Sequence, residues 1–491
     1  MRKFLLILFS FVIVFSASAC KKKEDLTRLS TNLTNYEIVL TLDCATKKAT
    51  VEQQVCFINN TNNILKHIKF HLYPQYFEQG ATEKIVPSTK MNNAYPNGMS
   101  YANFNINRVV VENNEKPIVY ENEFDSILNV ELNSSLLPNE NVEITLNYTF
   151  TLPNCHHRFG YGDNTINLGN FYPVVCAYEN EKFVTDGYNS NGDPFYSDVA
   201  NYSVTIITDK QYIVASTGEK FEEKTENNLK TTQIQAKVVR DFALVLSNKF
   251  EVIRQQINDV NIEFYYFKNS HSISSLQAGI DAIKTFSKLF GEYPYSSFSI
   301  VECDFIHGGM EYPNLVMISA DIENEIDYLN VIIHETAHQW WYGVVGNDEF
   351  NYPWLDEALT EFSIVLFYDN NKNYQLTHTQ IINASKENYT VFTSVYEDVL
   401  GKIDTSFRAV DKYSTEPEYT YCIYVKGVLM WDSLYQILGE KTFIKCLKTY
   451  YENSKFSNAT PNDLIKSFEQ ISKQNLSNFF DSWINGKVII R

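Results

Sequence analysis

The sequence predicts an α+β protein with more than one domain, in which an all-β domain precedes a domain rich in helices. Its 491 residues are enough for two to three domains. From residue 37 to about 255, apolar and polar residues alternate in short β-branched runs, which is typical of strands. From residue 256 onwards, apolar residues recur mainly at three- and four-residue steps, which is typical of amphipathic helices. The predicted domains are therefore residues 37–255 and 256–491.

The N-terminal segment has the pattern of an export signal. Two basic residues precede an apolar run of about a dozen residues, which is followed by small residues and Cys20. This pattern resembles a bacterial lipoprotein signal, so residues 1–19 are expected to be removed as a signal peptide and Cys20 to carry the lipid. Because Ala17 stands where such signals usually have Leu, cleavage without lipidation remains the alternative. The expected product is a membrane-attached lipoprotein at the bacterial cell surface, with residues 20–36 as anchor and tether.

The net charge and the cysteines argue against a nucleic-acid-binding protein and against a protein held together by disulfides. The formal net charge of -18 disfavours nucleic acid as a partner, since phosphate binding requires a concentrated basic surface. Of the eight cysteines, seven remain after Cys20, an odd number without any CxxC pair, so no disulfide framework is indicated. Cys44 and Cys56 lie in a predicted hairpin whose turn leaves them far apart along the ladder. They should therefore not bond to each other.

The strands of the predicted β domain are recognised by their period-two alternation between clusters of Asn, Gly, Pro and Asp. They are YEIVLTLD at 36–43, ATVEQQVCFIN at 49–59, FNINRVVVEN at 104–113, NVEITLNYTF at 141–150, YSVTIITD at 202–209, QYIVAST at 211–217 and TTQIQAKVV at 231–239. In the second domain, two strands at 261–267 and 297–305 precede the helices. Apolar residues with helical spacing predict helices at 326–340, 355–366, 428–438, 443–451 and 461–471.

A candidate metal site spans two of these helices, in the stretch HETAHQWWYGVVGNDEFNYPWLDEALTEF at 334–362. His334 and His338 are four residues apart, so their imidazoles share one helix face and can converge on one ion. Glu335 could accept a proton from a water molecule at that ion. Glu357 adds a carboxylate from the second helix. Two histidines and one carboxylate leave one coordination position open, as in catalytic zinc sites, so one zinc ion per chain is expected.

Glu361 lies one helical turn after Glu357. It could hydrogen-bond the outer ring nitrogen of a zinc-binding histidine and fix its tautomer, and His334 is better placed for this than His338. The alternative is an acid on a solvated surface. A second open alternative concerns His307, which either lines the substrate cleft or simply belongs to a loop.

HETAHQWW followed by WLDEALTEF resembles the HExxH-(18)-E signature of the aminopeptidase N family of zinc metallopeptidases, which is peptidase family M1 of the gluzincins. Three further stretches have the family's order and spacing, namely GGMEYPN at 308–314, YVKGVLMWDSL at 424–434 and FFDSWING near the end. The resemblance is tight from about residue 295 to 440 and loose in the β domain. It implies a thermolysin-like zincin catalytic domain at 256–491, ending in a short helical part.

The resemblance also implies roles for single residues. Glu311 matches the glutamate that binds the free α-amine of the substrate, and the neighbouring Gly308, Gly309 and Met310 would lie against the bound peptide. Tyr424 matches the tyrosine that stabilises the tetrahedral intermediate. Tyr419 and Tyr421 are close enough in sequence to be alternatives for that role.

The sequence departs from the family at two positions that concern the substrate amine. Tyr312 replaces the usual Asn after Glu311, which puts the geometry around the amine in question. A second amine anchor normally comes from the β domain, ahead of an aromatic-Pro segment that would correspond to NLGNFYP at 167–173. No Gln or Glu stands clearly in place there. The sequence therefore does not indicate which residue is the second anchor.

The function implied is that of a zinc metalloaminopeptidase that removes N-terminal residues from extracellular peptides. Glu335 would act as general base, Tyr424 would stabilise the oxyanion, and Glu311 would count residues from the α-amine. The expected partners are peptides with a free N-terminus and, through Cys20, a membrane. Two alternatives remain: a zinc endopeptidase that ignores the α-amine, and a catalytically inert peptide-binding surface lipoprotein.

Overall fold

The structure is a computed structural model that describes residues 25–81, 85–121, 126–267, 272–401, 403–488 and 490. The predicted signal peptide and Cys20 lie outside these residues. Within the described ranges, none of the helices is both long enough and apolar enough to cross a membrane.

The first domain is built from strands, as the alternating sequence predicts. In its first strand every second residue is buried, so one face of the sheet packs on the core and the other faces solvent. The strands are β1 Asn35–Asp43, β2 Lys48–Ile58, β3 Leu65–His71, β4 Asn103–Val111, β5 Asn114–Lys116, β6 Ile127–Leu136, β7 Asn141–Thr151, β8 Phe159–Tyr161, β9 Ile166–Gly169, β10 Val174–Val175, β11 Tyr178–Glu179, β12 Lys182–Phe183, β13 Ala200–Asp209, β14 Ile213–Ser216, β15 Glu219–Glu226, β16 Leu229–Val239 and β17 Ala243–Ser247. All seven predicted strands of this domain are present.

An eight-stranded sheet with the order β15-β16-β13-β1-β2-β7-β4-β5 forms the largest part of this domain. β1 and β13 are parallel, and the other neighbours are antiparallel. In the β1–β2 hairpin, Cys56 pairs with Asn35 at the open end, whereas Cys44 follows β1 at the turn. Both cysteines are free thiols, which confirms that they do not bond to each other.

The segment before β1 corrects part of the predicted tether at 20–36. Leu26–Leu29 form a short helix, α1, and a turn of 3-10 helix covers Ser30–Asn32. The side chain of Asn201 donates a hydrogen bond of 2.9 Å to the carbonyl oxygen of Ser30, and Leu26 packs against the core. Residues 26–36 therefore belong to the folded domain, because their apolar and backbone groups find partners on the sheet.

The second domain contains a five-stranded sheet with helices packed against it. Its strands are β18 Glu251–Ile257, β19 Val260–Tyr266, β20 Ser297–Cys303, β21 Gly309–Met310 and β22 Leu315–Ser319, in the order β18-β19-β20-β22-β21. The predicted division between residues 255 and 256 falls inside β18, so the sheet of this domain begins at Glu251. A short parallel pair, β23 Val345–Gly346 and β24 Ser457–Asn458, lies outside the sheet.

The helices after α1 are α2 Met91–Ala94 in the first domain and then α3 Ser272–Leu289, α4 Glu325–Ala337, α5 Glu357–Asn370, α6 His378–Leu400, α7 Glu416–Thr420, α8 Lys426–Leu438, α9 Glu440–Ser454, α10 Pro461–Ser472 and α11 Ser477–Ile484. The five predicted helices are present as α4, α5, α8, α9 and α10, and α2, α3, α6, α7 and α11 were not predicted. Turns of 3-10 helix occur at Tyr73–Phe77, Ser88–Lys90 and Val410–Lys412, and a π-helical turn at Tyr421–Val425 joins α7 to α8. This mixture of sheet and helix confirms the predicted fold class.

Candidate active site

The predicted metal ligands come from two helices that pack against each other, α4 and α5. His334 lies in the last turn of α4 and His338 directly follows its end. Glu357 is the first residue of α5, where the side chain of Asp356 accepts a hydrogen bond of 2.9 Å from the Glu357 backbone N–H. This cap satisfies a free donor at the helix start and fixes the direction in which Glu357 leaves the backbone.

The three side chains meet at one point. His334 Nε2 lies 3.1 Å from His338 Nε2, and Glu357 Oε2 lies 3.3 Å and 3.2 Å from these two nitrogens. Tetrahedral zinc with bonds of about 2.0–2.1 Å requires ligand atoms about 3.3 Å apart. The donor set and its spacing therefore fit a zinc ion held by two imidazoles and one carboxylate.

The outer nitrogens of both imidazoles have acceptors that orient the rings. His334 Nδ1 lies 2.9 Å from Glu361 Oε2, as the sequence predicts, and His338 Nδ1 lies 2.9 Å from the carbonyl oxygen of Trp341. A proton held at Nδ1 by an acceptor leaves the lone pair of Nε2 free to bind a metal. Both rings are therefore held in the tautomer that metal binding needs.

The carboxylates around the site attract positive charge. Although burial disfavours its protonated form, the pKa of His338 is raised to about 10 by the carboxylates of Glu311 and Glu357. The pKa of His334 is also raised well above its usual value, since hydrogen bonds to Glu357 and Glu361 outweigh its burial. A cavity that favours extra protons in this way also favours a bound cation.

Glu335 lies beside the metal ligands with one carboxylate oxygen, Oε2, that has no hydrogen-bond partner. Its side chain packs directly on Gly309, where any Cβ would overlap the carboxylate, so a glycine is required there for this close approach. Burial raises the pKa of Glu335 to about 7, against the opposing effect of His334 and His338. A carboxylate with such a pKa can both accept and release a proton near neutral pH.

Tyr424 reaches the site from the π-helical turn, a feature often found at functional positions. Its hydroxyl donates a hydrogen bond of 2.6 Å to Glu357 Oε1. Tyr419 packs edge-on against Tyr424 and also lines the cavity, whereas Tyr421 stacks on Phe392 at 4.4 Å. Of the three tyrosines, Tyr424 is therefore the one bonded to the metal-ligand cluster.

Glu311 follows the edge strand β21 and is almost completely buried. Its Oε1 atom has no hydrogen-bond partner, and burial raises its pKa well above the usual value, with a further contribution from Asp193. Gly308 and Gly309 line the cavity as predicted, and so does His307. A buried carboxylate without a partner is costly, which indicates a ligand with hydrogen-bond donors.

The structure corrects the prediction for Met310 as a substrate-binding side chain. Met310 is 1% exposed, belongs to the hydrophobic core and is not among the residues that line the cavity. Neighbouring side chains of a strand point to opposite faces. The Met310 side chain therefore packs in the hydrophobic core and does not reach the cavity.

Asp193, which the β domain contributes to the cavity, was not predicted from the sequence. It forms an ion pair of 2.5 Å with the buried Arg158, and one oxygen each from Asp193, Glu311 and Glu357 lie within 4.8 Å of one another. Asp193 lies twenty residues beyond the NLGNFYP segment that the family comparison pointed to. The signal available in sequence was an acid in a Gly192-Asp193-Pro194 turn.

Tyr312 does not disturb this arrangement. Its hydroxyl donates a hydrogen bond of 2.6 Å to Asn170 Oδ1, and the Asn170 amide donates one of 2.7 Å to Asp241. The Tyr312 ring packs against Gly169, and its side chain is not among those that line the cavity. Tyr312, which stands where the family usually has Asn, therefore links the catalytic domain to the NLGNFYP segment.

The cavity that contains these groups has a volume of about 420 Å³ and is lined by both domains. Two histidines and a carboxylate at zinc-ligand spacing, a buried general-base candidate and a tyrosine are the groups that a zinc metallopeptidase requires. Residues 274–483 match the model of the peptidase family M1 domain. This part of the chain, which contains the two histidines, Glu335, Glu357 and Tyr424, is therefore similar to the peptidase family M1 domain.

Comparisons with individual proteins agree with this family. The chain is 25% identical to aminopeptidase N of Escherichia coli over 309 residues, which is 57% of this chain and 34% of that protein. It is 23% identical to aminopeptidase M1 of Arabidopsis thaliana over 312 residues, or 59% of this chain and 34% of that protein. The chain thus spans about a third of the length of these curated relatives.

A solved structure has a similar fold over almost the whole chain. An M1 zinc metallopeptidase from Deinococcus radiodurans superposes with a TM-score of 0.64 at 16% identity, covering 93% of this chain and 95% of that chain. A variant of the same protein has been solved with a Tyr-Ser-Ala substrate bound. The similarity extends through both domains and therefore supports the architecture described above.

Proposed function

We propose that the protein is a zinc aminopeptidase that releases N-terminal residues from peptides. The observation that carries this proposal is the pair of carboxylates, Glu311 and Asp193, beside the metal ligands. One comes from the edge strand of the catalytic domain and the other from a loop of the β domain. The family and the relatives named above support the same activity.

The spacing of these carboxylates suits a substrate ammonium group. An ammonium group has three N–H donors, and charge-assisted bonds from nitrogen to carboxylate oxygen are about 2.7–2.9 Å long. Because the N–H bonds of an ammonium group diverge at about 109°, two such bonds join oxygens about 4.4–4.7 Å apart. The oxygens of Asp193 and Glu311 lie within 4.8 Å of each other, so one ammonium group can bind both. An acetylated terminus has no ammonium group and would leave Glu311 without these donors, which is costly for a buried carboxyl group.

The catalytic groups have complementary tasks. Glu335 removes a proton from the attacking water and later delivers it to the leaving amine, for which a pKa of about 7 is well suited. Zinc, when held by His334, His338 and Glu357, polarises the carbonyl and makes the water more acidic. The Tyr424 hydroxyl turns from Glu357 to the developing oxyanion and donates a hydrogen bond there.

The endopeptidase alternative is less well supported by the cavity. An enzyme that cuts within a chain places uncharged backbone at this end of the site, and that would leave the buried Glu311 without a partner. An inert binding protein has no need for Glu335, which has an oxygen without a hydrogen-bond partner and lies within 4.8 Å of a ring nitrogen of His338. Both alternatives make different predictions in the experiment that follows.

The test compares one peptide with a free N-terminus and its N-acetylated copy, using the zinc-loaded mature protein and Glu335→Gln as the blank. Release of the first residue from the free peptide alone supports the aminopeptidase. Internal cleavage of both peptides would instead identify an endopeptidase. If the protein cleaves peptides of varied sequence no faster than the Glu335→Gln blank does, the inert binding protein is favoured.

We also propose that the protein is exported and anchored through a lipid at Cys20. The support is the sequence pattern of residues 1–20, which lie outside the described part of the chain. An exported aminopeptidase of this kind would act on extracellular peptides.

A further inference from the structure

A contact between the two domains crosses the cavity at Lys90 and Glu416. Lys90 Nζ lies 2.7 Å from Glu416 Oε1, and the Thr89 hydroxyl donates a hydrogen bond of 3.2 Å to Glu416 Oε2. Lys90 ends a 3-10 turn of the β domain, and Glu416 begins α7, the helix that leads to Tyr424. Both side chains line the cavity.

The path of a bound peptide leads towards this contact. The substrate amine binds at Glu311 and the scissile carbonyl lies near Glu335, which packs on Gly309, so the peptide runs along β21 in the direction from residue 311 to 309. Continuing the same way, it passes Gly308 and His307, which also line the cavity.

The wall beyond His307 belongs to the segment that ends in Lys90. The ring of His307 lies 5.2 Å from the ring of His157, whose Nε2 is 3.1 Å from the carbonyl oxygen of Ile85. Ile85 and Lys90 both line the cavity on this side. The leaving part of a peptide therefore approaches Lys90 and Glu416.

A second contact between the same two walls is of a different kind. The Asn191 amide donates to the carbonyl oxygens of Val410 and Tyr413 at 3.2 and 3.0 Å, and Gly192 packs on the ring of Tyr419. This contact is anchored on the backbone. The Lys90–Glu416 pair joins two flexible side chains that are 34% and 22% exposed, and such pairs are easily broken.

We propose that the Lys90–Glu416 pair is a latch that discriminates between peptides by length, an inference that rests on the aminopeptidase function proposed above. With the pair formed, a short peptide fits inside the closed cavity. A longer peptide must part the two side chains before its leaving portion can pass. Lys90 and Glu416 are therefore specificity-determining residues that do not take part in the chemistry.

The test measures kcat/KM for a dipeptide and for an octapeptide with the same two N-terminal residues. Glu416→Gln and Lys90→Met should each raise the ratio of the octapeptide value to the dipeptide value by about threefold to tenfold, with the dipeptide value unchanged. The charge-swapped protein, Lys90→Glu with Glu416→Lys, should return the ratio to that of the unmodified protein. Raised salt should increase the ratio in the unmodified and charge-swapped proteins but not in the two single variants, because it screens the ion pair.

A matched control is the Lys69–Glu121 pair of the β domain, which has a similar distance of 2.6 Å and similar exposure. Lys69→Met should leave the ratio unchanged. The latch is refuted if the variants alter both peptides equally, if the charge swap fails to restore the ratio, or if Lys69→Met has the same effect as Lys90→Met.

A binding measurement separates the latch from the proposed chemistry. In the Glu335→Gln background, breaking the pair should raise the association rate of a fluorescent octapeptide but not that of a dipeptide. If the unmodified protein cleaves the dipeptide, but breaking the pair changes neither the kcat/KM ratio nor the association rate of the octapeptide, the latch alone is overturned. Absence of dipeptide turnover together with absence of peptide binding would overturn both proposals.

Discussion

At the scale of single residues, the site is defined by carboxylates whose surroundings give them different tasks. Glu357 has a pKa below its usual range, because the two histidines outweigh the effect of its burial, and so it remains an anionic ligand. Burial dominates for Glu335 and raises its pKa to about 7. These surroundings suit Glu357 to its proposed role as metal ligand and Glu335 to its proposed role as proton acceptor.

Asp193 is expected to contribute to substrate affinity through its charge. Asp193→Asn removes one of two charge-assisted bonds to the substrate ammonium, each worth about 1.5–3 kcal/mol, so kcat/KM for free-amine peptides should fall roughly 10- to 100-fold. Steady-state kinetics on one peptide series provides the measurement, and a melting curve shows that the variant is folded. Asp163→Asn, which alters an exposed acid of the same domain, is the control. An unchanged kcat/KM in Asp193→Asn would remove Asp193 from the amine site.

Glu361 is expected to act on metal affinity through His334. Glu361→Gln replaces the charged acceptor at His334 Nδ1 by a weaker neutral one, which should lower zinc affinity about 10- to 100-fold. Competition with a chromophoric chelator measures this directly and requires no turnover. Glu397→Gln, at an exposed position of α6, serves as the control and should bind zinc like the unmodified protein. Equal affinities in all three proteins would show that Glu361 is a surface acid.

Among the secondary-structure elements, the helices α5, α6 and α8 are connected through hydrogen bonds of one histidine, His378. His378 begins α6, and its Nδ1 and Nε2 atoms each lie 2.7 Å from a carboxylate oxygen, of Asp369 in α5 and Asp432 in α8. The hydrogen bonds that His378 donates to these two carboxylates raise its pKa to about 9. α5 carries Glu357 and α8 continues from the turn with Tyr424, so this contact helps to hold the two catalytic elements together.

This contact gives stability a defined pH dependence. Because the pKa is higher in the folded protein than the unfolded value of 6.5, protonated His378 stabilises the fold fully below about pH 6.5. The contribution declines as the pH rises and is lost above pH 9. His378→Gln should therefore reduce stability by about 1 kcal/mol at pH 6, after solvent screening is considered, and by much less at pH 9.5. Denaturant unfolding at both pH values tests this, and a constant difference between the two proteins would contradict it.

At the scale of the whole molecule, neither domain forms the cavity alone. The catalytic domain supplies the metal ligands, Glu335 and Glu311, while the β domain supplies Asp193 and the segment that ends in Lys90. The Asn191 amide and the Tyr312–Asn170 contact hold the domains together on either side. A separated catalytic domain should therefore lack half of the proposed amine site.

The proposed anchor predicts a change in location without a change in fold. Cys20→Ser removes the thiol to which a lipid would be attached, so the protein should move from the membrane fraction to the soluble exported fraction. Fractionation of expressing cells followed by mass spectrometry of the mature N-terminus is the measurement. Cys44→Ser, which alters a buried thiol, provides the comparison for general effects of losing a cysteine. Retention of Cys20→Ser in the membrane would exclude the lipid anchor at this position.

The order of the two domains, nine of the strands, five of the helices and the candidate ligand set His334, His338 and Glu357 could all be predicted from the sequence. These features are local: hydrophobic periodicity reports the elements, and a spacing of four residues places both histidines on one helix face. The Glu361–His334 contact could also be predicted, because helix geometry relates Glu361 to Glu357. The boundary near residue 255 and the tether at 20–36 were less well predicted, since tertiary contacts extend β18 and bind residues 26–36 to the sheet.

Tertiary contacts determine which groups that are far apart in the sequence lie close together in the structure. Asp193 lies more than a hundred residues before Glu311 in the chain, and no local pattern brings the two carboxylates together. The burial that sets the pKa of Glu335, the inward packing of Met310 and the contact of Lys90 with Glu416 likewise depend on how the two domains pack. Long-range packing determines desolvation and distance, and these two quantities decide what each charged side chain can do.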